Sequence, residues 1–193
     1  MRHPTPPMAI RRWSVQTPTL TTPHPYGAWV AGDVDALPLI VDDVGARQTG
    51  SISQGYPSLE VTLMDASGAC DEYHGNPASS RALRLYVFNA RDQQGVGPGT
   101  YLTPGPNGAG PTVFAGIFWH DFNATCSDRQ AQGTGTVTLT DVSSTSVSGS
   151  FDVTLDAWLS DAAPRIGHLS GSFKAPVCAA SRDDGGISVG RCM

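Results

Sequence analysis

Two copies of Ser-Gly-Ser-Phe, at Ser148–Phe151 and Ser170–Phe173, lie in neighbouring stretches that alternate apolar and polar residues almost without a break. In the first, Val147, Gly149, Phe151, Val153, Leu155 and Ala157 share one parity, while Ser148, Ser150, Asp152, Thr154 and Asp156 hold the other. The second runs through Phe173, Ala175 and Val177 to Cys178. A period of two is the repeat of a β-strand with one buried and one solvated face. Each glycine lies on the apolar parity, two residues before a phenylalanine. A glycine there leaves a gap that an aromatic ring from the next strand can cover. The segments 146–158 and 166–177 are therefore expected to pair as antiparallel neighbours, with Phe151 and Phe173 in the core.

The same alternation places further strands at 37–42, 57–65, 81–89, 112–120 and 134–142. Gly-Pro-Gly at 97–99 and Pro104-Gly105-Pro106 mark loops, since neither a helix nor a central strand tolerates them. The 22 glycines and 15 prolines argue against long helices throughout the 193 residues, and no segment of helical period appears. The expected fold is all-β, an antiparallel β-sandwich of seven or eight strands. Residues 1–32 read as a Pro/Thr-rich extended arm, 33–178 as the sandwich domain and 179–193 as a C-terminal tail. Proline cannot supply ladder N–H groups, which keeps the arm out of a sheet interior.

The net charge is −5 and Lys174 is the only lysine. No basic stripe could track a phosphate backbone, so nucleic acid is excluded as a partner. Cys70, Cys126, Cys178 and Cys192 are widely spaced, with no C-x-x-C pair. That spacing disfavours zinc and fits two disulfides formed in an oxidising compartment. Of the three connectivities, Cys126–Cys178 with Cys70–Cys192 is the expected one, because a tail cysteine can reach a loop cysteine. Residues 1–30 contain neither an apolar run of signal-peptide length nor a membrane-spanning segment.

The segment 112–120 is unusual in being apolar on both parities. Val113, Ala115, Ile117 and Trp119 alternate with Phe114, Gly116, Phe118 and His120. Tyr86 and Phe88 add aromatic rings to the outward parity of another strand. An uncovered face of this kind promotes association. The arm, through Trp13, Tyr26 and Trp29, is its expected cover, and such an arm could also bridge to a second subunit. Left uncovered, Tyr86, Phe88, Phe114, Phe118 and His120 would form a platform for a ligand such as a sugar ring.

Residues Gly133–Thr140, Val147–Leu155 and Leu169–Cys178, together with Leu63-Met64-Asp65 leading to Cys70 and Pro98-Gly99-Thr100-Tyr101, resemble secreted proteins and lipoproteins of Gram-negative soil bacteria. The resemblance covers about 57–178 and implies a compact β-sandwich outside the cytoplasm. It transfers no catalytic residue. Those proteins begin with a signal peptide and a lipidated cysteine, neither of which is seen here.

No H-E-x-x-H or H-x-H pattern occurs among the five histidines. His120-Asp121 beside Trp119 is the pair best placed for acid–base chemistry, with Asp71, Glu72 and Asp128 as further carboxylates. Asp183-Asp184-Gly185-Gly186 lacks the spaced oxygen ligands of a calcium loop. No cofactor or metal is expected. The reading is a non-catalytic secreted or cell-envelope domain acting by binding or assembly on protein or carbohydrate at the cell surface. The alternatives are a small secreted hydrolase centred on His120 and Asp121, and a structural subunit that uses its arm.

Overall fold

The computed structural model describes residues 25–50, 57–70, 76–77, 79–89, 95–103, 113–125, 128–158, 167–179 and 191–192. Its strands are Gly27–Val34 (β1), Asp43–Gly50 (β2), Pro57–Met64 (β3), Asn76–Pro77 (β4), Ser80–Asn89 (β5), Gly99–Leu102 (β6), Val113–Phe122 (β7), Asp128–Val142 (β8), Ser146–Trp158 (β9), Gly167–Pro176 (β10) and Arg191–Cys192 (β11). No helix occurs among the described residues. The all-β, antiparallel expectation holds.

The layering differs from the expected sandwich. Hydrogen bonding runs without interruption through one sheet in the order β1-β10-β9-β8-β7-β5-β3-β2, with β6 paired to the second half of β8. A sandwich would divide these strands between two sheets. Here the long strand β8 serves both β7 and β6 and changes register between Gln132 and Gly133 and again between Leu139 and Asp141. Such bulges bend a strand and steepen its twist, which curls a single sheet round its own apolar face. The curl brings the far edge back on itself. Ala46 of β2 forms a parallel bridge with Val177, and the Cys178 N–H donates to the Ala46 carbonyl at 2.7 Å.

The enclosed face carries the core. Val44, Ala46, Leu59, Val61, Leu63, Leu83, Leu85, Ile117, Trp119, Val137, Leu139, Val147, Phe151, Val153, Leu155, Leu169 and Phe173 form one buried cluster. The expected pairing of β9 with β10 holds residue by residue: Phe151 lies opposite Gly171, and Phe173 opposite Gly149. A Cβ on Gly171 would lie 3.0 Å from Phe151 Cζ, and one on Gly149 would lie 2.9 Å from Phe173 Cζ. Each ring lies over its neighbour's glycine.

Two segments depart from expectation. Residues 27–34, of which 27–32 were assigned to the arm, are edge strand β1, aligned along β10 from Gly27↔Lys174 to Val34↔Gly167. The expected boundary at residue 32 therefore falls inside a strand. Ala28 and Val30 pack against the core while Trp29 is 60% exposed, the alternation of a half-buried strand. The first 24 residues, Trp13 among them, lie outside the described residues. The expected strand 37–42 is irregular, and the strand forms instead at 43–50. Pro38 interrupts the apolar run, and of its residues Leu37 and Ile40 are 56% and 68% exposed while Leu39 is buried. Strand β2 escapes notice because it offers the core only Val44 and Ala46.

The turn leaving β1 is tight. Val34 and Leu37 exchange both backbone hydrogen bonds, at 3.0 and 3.1 Å, and the two residues between them adopt positive φ, 56° at Asp35 and 61° at Ala36. This is the mirror-image turn that suits a twisted hairpin and favours glycine. Asp35 also lies 3.8 Å from Arg129, which reaches Asp121 at 3.7 Å. Ala36→Gly relieves a left-handed alanine, which costs roughly 1–2 kcal/mol, against a smaller entropic loss through the unfolded chain. The expected result is a gain of about 0.5–1 kcal/mol in urea unfolding; a loss of stability would show that the turn is unstrained.

Candidate functional site

The outward face of β3, β5 and β7 differs from that of the opposite wall. Across β8, β9 and β10 the outward positions are hydroxyls and charges, such as Thr138, Ser150 and Ser172 in one cross-strand row. Across β5 and β7 they are aromatic. Register places Phe88 opposite Phe114, Tyr86 opposite Gly116, and Arg84 opposite Phe118. Phe88 and Phe114 stack with centroids 5.0 Å apart, Tyr86 and Phe88 stack at 6.0 Å, and Phe118 meets Tyr86 edge-on at 5.5 Å. Gly116 lies between them, and a Cβ there would sit 3.3 Å from Phe118 and 3.5 Å from Phe88. Four of the five residues singled out from the sequence thus form one continuous, half-buried aromatic ladder.

The fifth, His120, shares the face but is buried and stacks on Phe122, with ring centroids 5.7 Å apart and planes 4° from parallel. Consecutive residues of a strand point to opposite sides of its sheet. His120 and Asp121 are therefore divided between the two faces, and Asp121 is engaged by Arg129. That separation argues against an acid–base dyad. Asp71, Glu72, the Asp128 side chain and the 183–186 segment lie outside the described residues.

Sequence reasoning missed the polar border of the ladder. Glu60, on β3, stands between Arg47 of β2 and Tyr86 of β5 in register, and Thr62 stands opposite Arg84. Glu60 is only 8% exposed, and its Oε1 has no hydrogen-bond partner among the described residues. Tyr86 is pushed well above the ordinary tyrosine range, first by burial and then by the negative charge of Glu60; the Arg84 guanidinium opposes both. Burial and the neighbouring carboxylate therefore keep the phenol protonated. Alternation puts Glu60 on the outward parity, but its register against Tyr86 depends on long-range pairing that no local pattern encodes.

Of the arm's three aromatics, Tyr26 and Trp29 do not cover this face, and Trp13 lies outside the described residues. Tyr26 precedes β1 and Trp29 lies within it, and β1 is four strands away from β7 in sheet order. Chemically, the ladder offers flat apolar rings bordered by a carboxylate, a guanidinium and a phenol. Such a surface can stack on the apolar face of a ring while the border groups hydrogen-bond to its edge.

The cysteines are placed differently from expectation. Cys70 is bonded to Cys178, with Cα atoms 5.3 Å apart, so the expected Cys126–Cys178 and Cys70–Cys192 pairing does not form. The curl explains the change. Cys178 follows directly on the bridge to β2, and the loop after β3 passes the same place, where Arg47 donates to the Cys70 carbonyl at 3.1 Å. A Cβ on Gly45 would lie 2.9 Å and 3.0 Å from the two sulfurs, so the disulfide packs directly on β2. Cys126 lies outside the described residues. The backbone of Cys192 is opposite Asn76 in the β4–β11 ribbon.

Comparison of the chain with protein-family models, with curated proteins and with solved structures finds no match.

Proposed function

We propose that this protein is a secreted or cell-envelope domain that acts by binding, not catalysis, and that its partner is a carbohydrate engaged by the outward face of β5 and β7. The observation that carries this reading is the Tyr86–Phe88–Phe114–Phe118 ladder, with Glu60 and Arg84 along its border. Aromatic rings with polar groups at their edge match a pyranose, which has apolar C–H faces and hydroxyls around its rim. The Cys70–Cys178 bond supports an oxidising compartment, where such polymers are met. The resemblance to secreted proteins and lipoproteins of Gram-negative soil bacteria points the same way.

Native electrophoresis through gels containing a neutral polysaccharide tests the reading. Among a panel of soluble glucans, mannans and xylans, at least one should retard the wild type. The double variant Phe88→Ala/Phe114→Ala should migrate freely. Ser150→Ala/Ser172→Ala, on the opposite wall, should be retarded like the wild type. Retention of binding by the aromatic variant, or no retardation by any glycan, would overturn the assignment; circular dichroism confirms that each variant is folded.

A further inference from the structure

We propose that this protein pairs with a second copy of itself through the open edge of β1, the two β1 strands meeting antiparallel about a twofold axis at Val30. β1 ends the sheet order, and β10 occupies only one of its sides. The backbone N–H and C=O groups of successive strand residues point to alternate sides. Val34 exchanges both of its bonds with Leu37, so the groups of Val34, Gly32, Val30 and Ala28 face away from β10. Those of Ala28, Val30 and Gly32 have no backbone partner among the described residues. Beside Gly27 and Ala28 the edge borders a cleft of about 440 Å³, which leaves space for an incoming strand. Natural edges are blunted by lysine, proline or a bulge, and Gly27–Val34 has none of these.

A second copy is the occupant because the strand is complementary to itself. With Val30 on the axis, Ala28 lies opposite the partner's Gly32, and each such pair exchanges two hydrogen bonds. Trp29, exposed in the single chain, lies opposite the partner's Ala31, whose small side chain admits the ring. It is also diagonal to the partner's Trp29, within aromatic reach, so the two indoles cover one another. The strand's one charge, Asp33, falls opposite the partner's Gly27, and no like charges meet. Gly27 in turn lies opposite Lys174 of its own β10, whose side chain is exposed. A Cβ on Gly27 would meet nothing within 4 Å, so nothing bars the Lys174 stem from crossing to the partner's Asp33, two strands away. The twofold axis repeats this row, joining the only lysine of each chain to a carboxylate of the other.

Sedimentation-velocity ultracentrifugation of the full chain over a range of concentrations tests this, with amide hydrogen exchange as the second readout. The wild type should sediment as a dimer that dissociates on dilution. Asp33→Lys, which sets two lysines against each other in both rows, should weaken the dimer about tenfold or more. Asp33→Lys/Lys174→Asp should restore it. The amides of Ala28, Val30 and Gly32 should be protected in the dimer and exchange freely in the dissociated Asp33→Lys protein. Those of Trp29, Ala31 and Asp33, which face β10, should stay protected in both. A wild type that stays monomeric at the highest concentration, or a dimer indifferent to Asp33→Lys, would overturn the proposal. So would a charge swap that restores nothing, or a dimer whose Ala28, Val30 and Gly32 amides exchange freely. Phe88→Ala/Phe114→Ala should dimerise like the wild type, so failure here leaves the carbohydrate reading standing, and the reverse also holds.

Discussion

Phe151→Ala and Phe173→Ala are each expected to lower the free energy of unfolding by about 3–5 kcal/mol, the loss typical of removing a large buried side chain. Both rings are nearly fully buried, and each covers the glycine directly across the strand pair, so truncation opens a cavity over bare backbone. The reciprocal changes, Gly149→Ala and Gly171→Ala, should be comparably severe for the opposite reason. An added methyl at Gly149 would collide with the Thr138 carbonyl as well as the Phe173 ring, and at Gly171 with the Trp29 carbonyl as well as the Phe151 ring. Ser150→Ala and Ser172→Ala, solvent-facing on the same strands, should stay within about 0.5 kcal/mol. Urea unfolding of the six variants tests the set. Serine changes costlier than phenylalanine changes would mean that the faces of these strands are inverted.

Removing the Cys70–Cys178 bond, by Cys70→Ala/Cys178→Ala or by reduction, should cost about 4–5 kcal/mol. The bond joins residues 108 apart in sequence, and constraint of the unfolded chain grows with the loop closed. That is a large fraction of the roughly 5–15 kcal/mol that stabilises a typical domain. The local consequence should be distinctive, because the bond lies where the sheet meets itself. Amide protection should fall first at Ala46, Val177 and Cys178, while β8, β9 and β10 keep theirs until global unfolding. An unchanged midpoint on reduction would show that the seam holds without the bond.

How much of this was legible in the sequence follows from the range over which each signal acts. The Ser-Gly-Ser-Phe repeat is a local pattern repeated in neighbouring strands, and it correctly gave both the pairing of β9 with β10 and the inward facing of Phe151 and Phe173. Strong alternation likewise marked Leu59, Val61 and Leu63, and Leu83, Leu85 and Val87, as core positions. What local pattern does not carry is closure. Whether strands divide into two sheets or curl into one depends on bulges in β8 that leave no compositional trace beyond its glycines. From that one uncertainty came the misassigned disulfide, since only a curled sheet brings Cys178 to the loop after β3. Strand β1 was hidden by its proline-rich context and β2 by its small side chains.

The candidate site divides in the same way. Tyr86, Phe88, Phe114 and Phe118 were legible because rings on an outward parity are conspicuous, and a direct strand pairing unites them. Glu60 and Arg84 were not, because a charged residue on an outward parity is ordinarily solvated, and only the register reveals a buried carboxylate against a phenol. His120 and Asp121 looked like a pair because they adjoin in sequence, which in a strand is the arrangement that separates them.

Closure of a single sheet on itself is the claim on which the rest depends, and peptide mapping of the non-reduced protein tests it most directly. The expected result is a cross-linked peptide pair containing Cys70 and Cys178. The remaining two cysteines should then pair as Cys126–Cys192, in keeping with the β4–β11 ribbon beside the Ser79-to-Asn123 backbone hydrogen bond. A Cys126–Cys178 link, or four free thiols, would contradict the account.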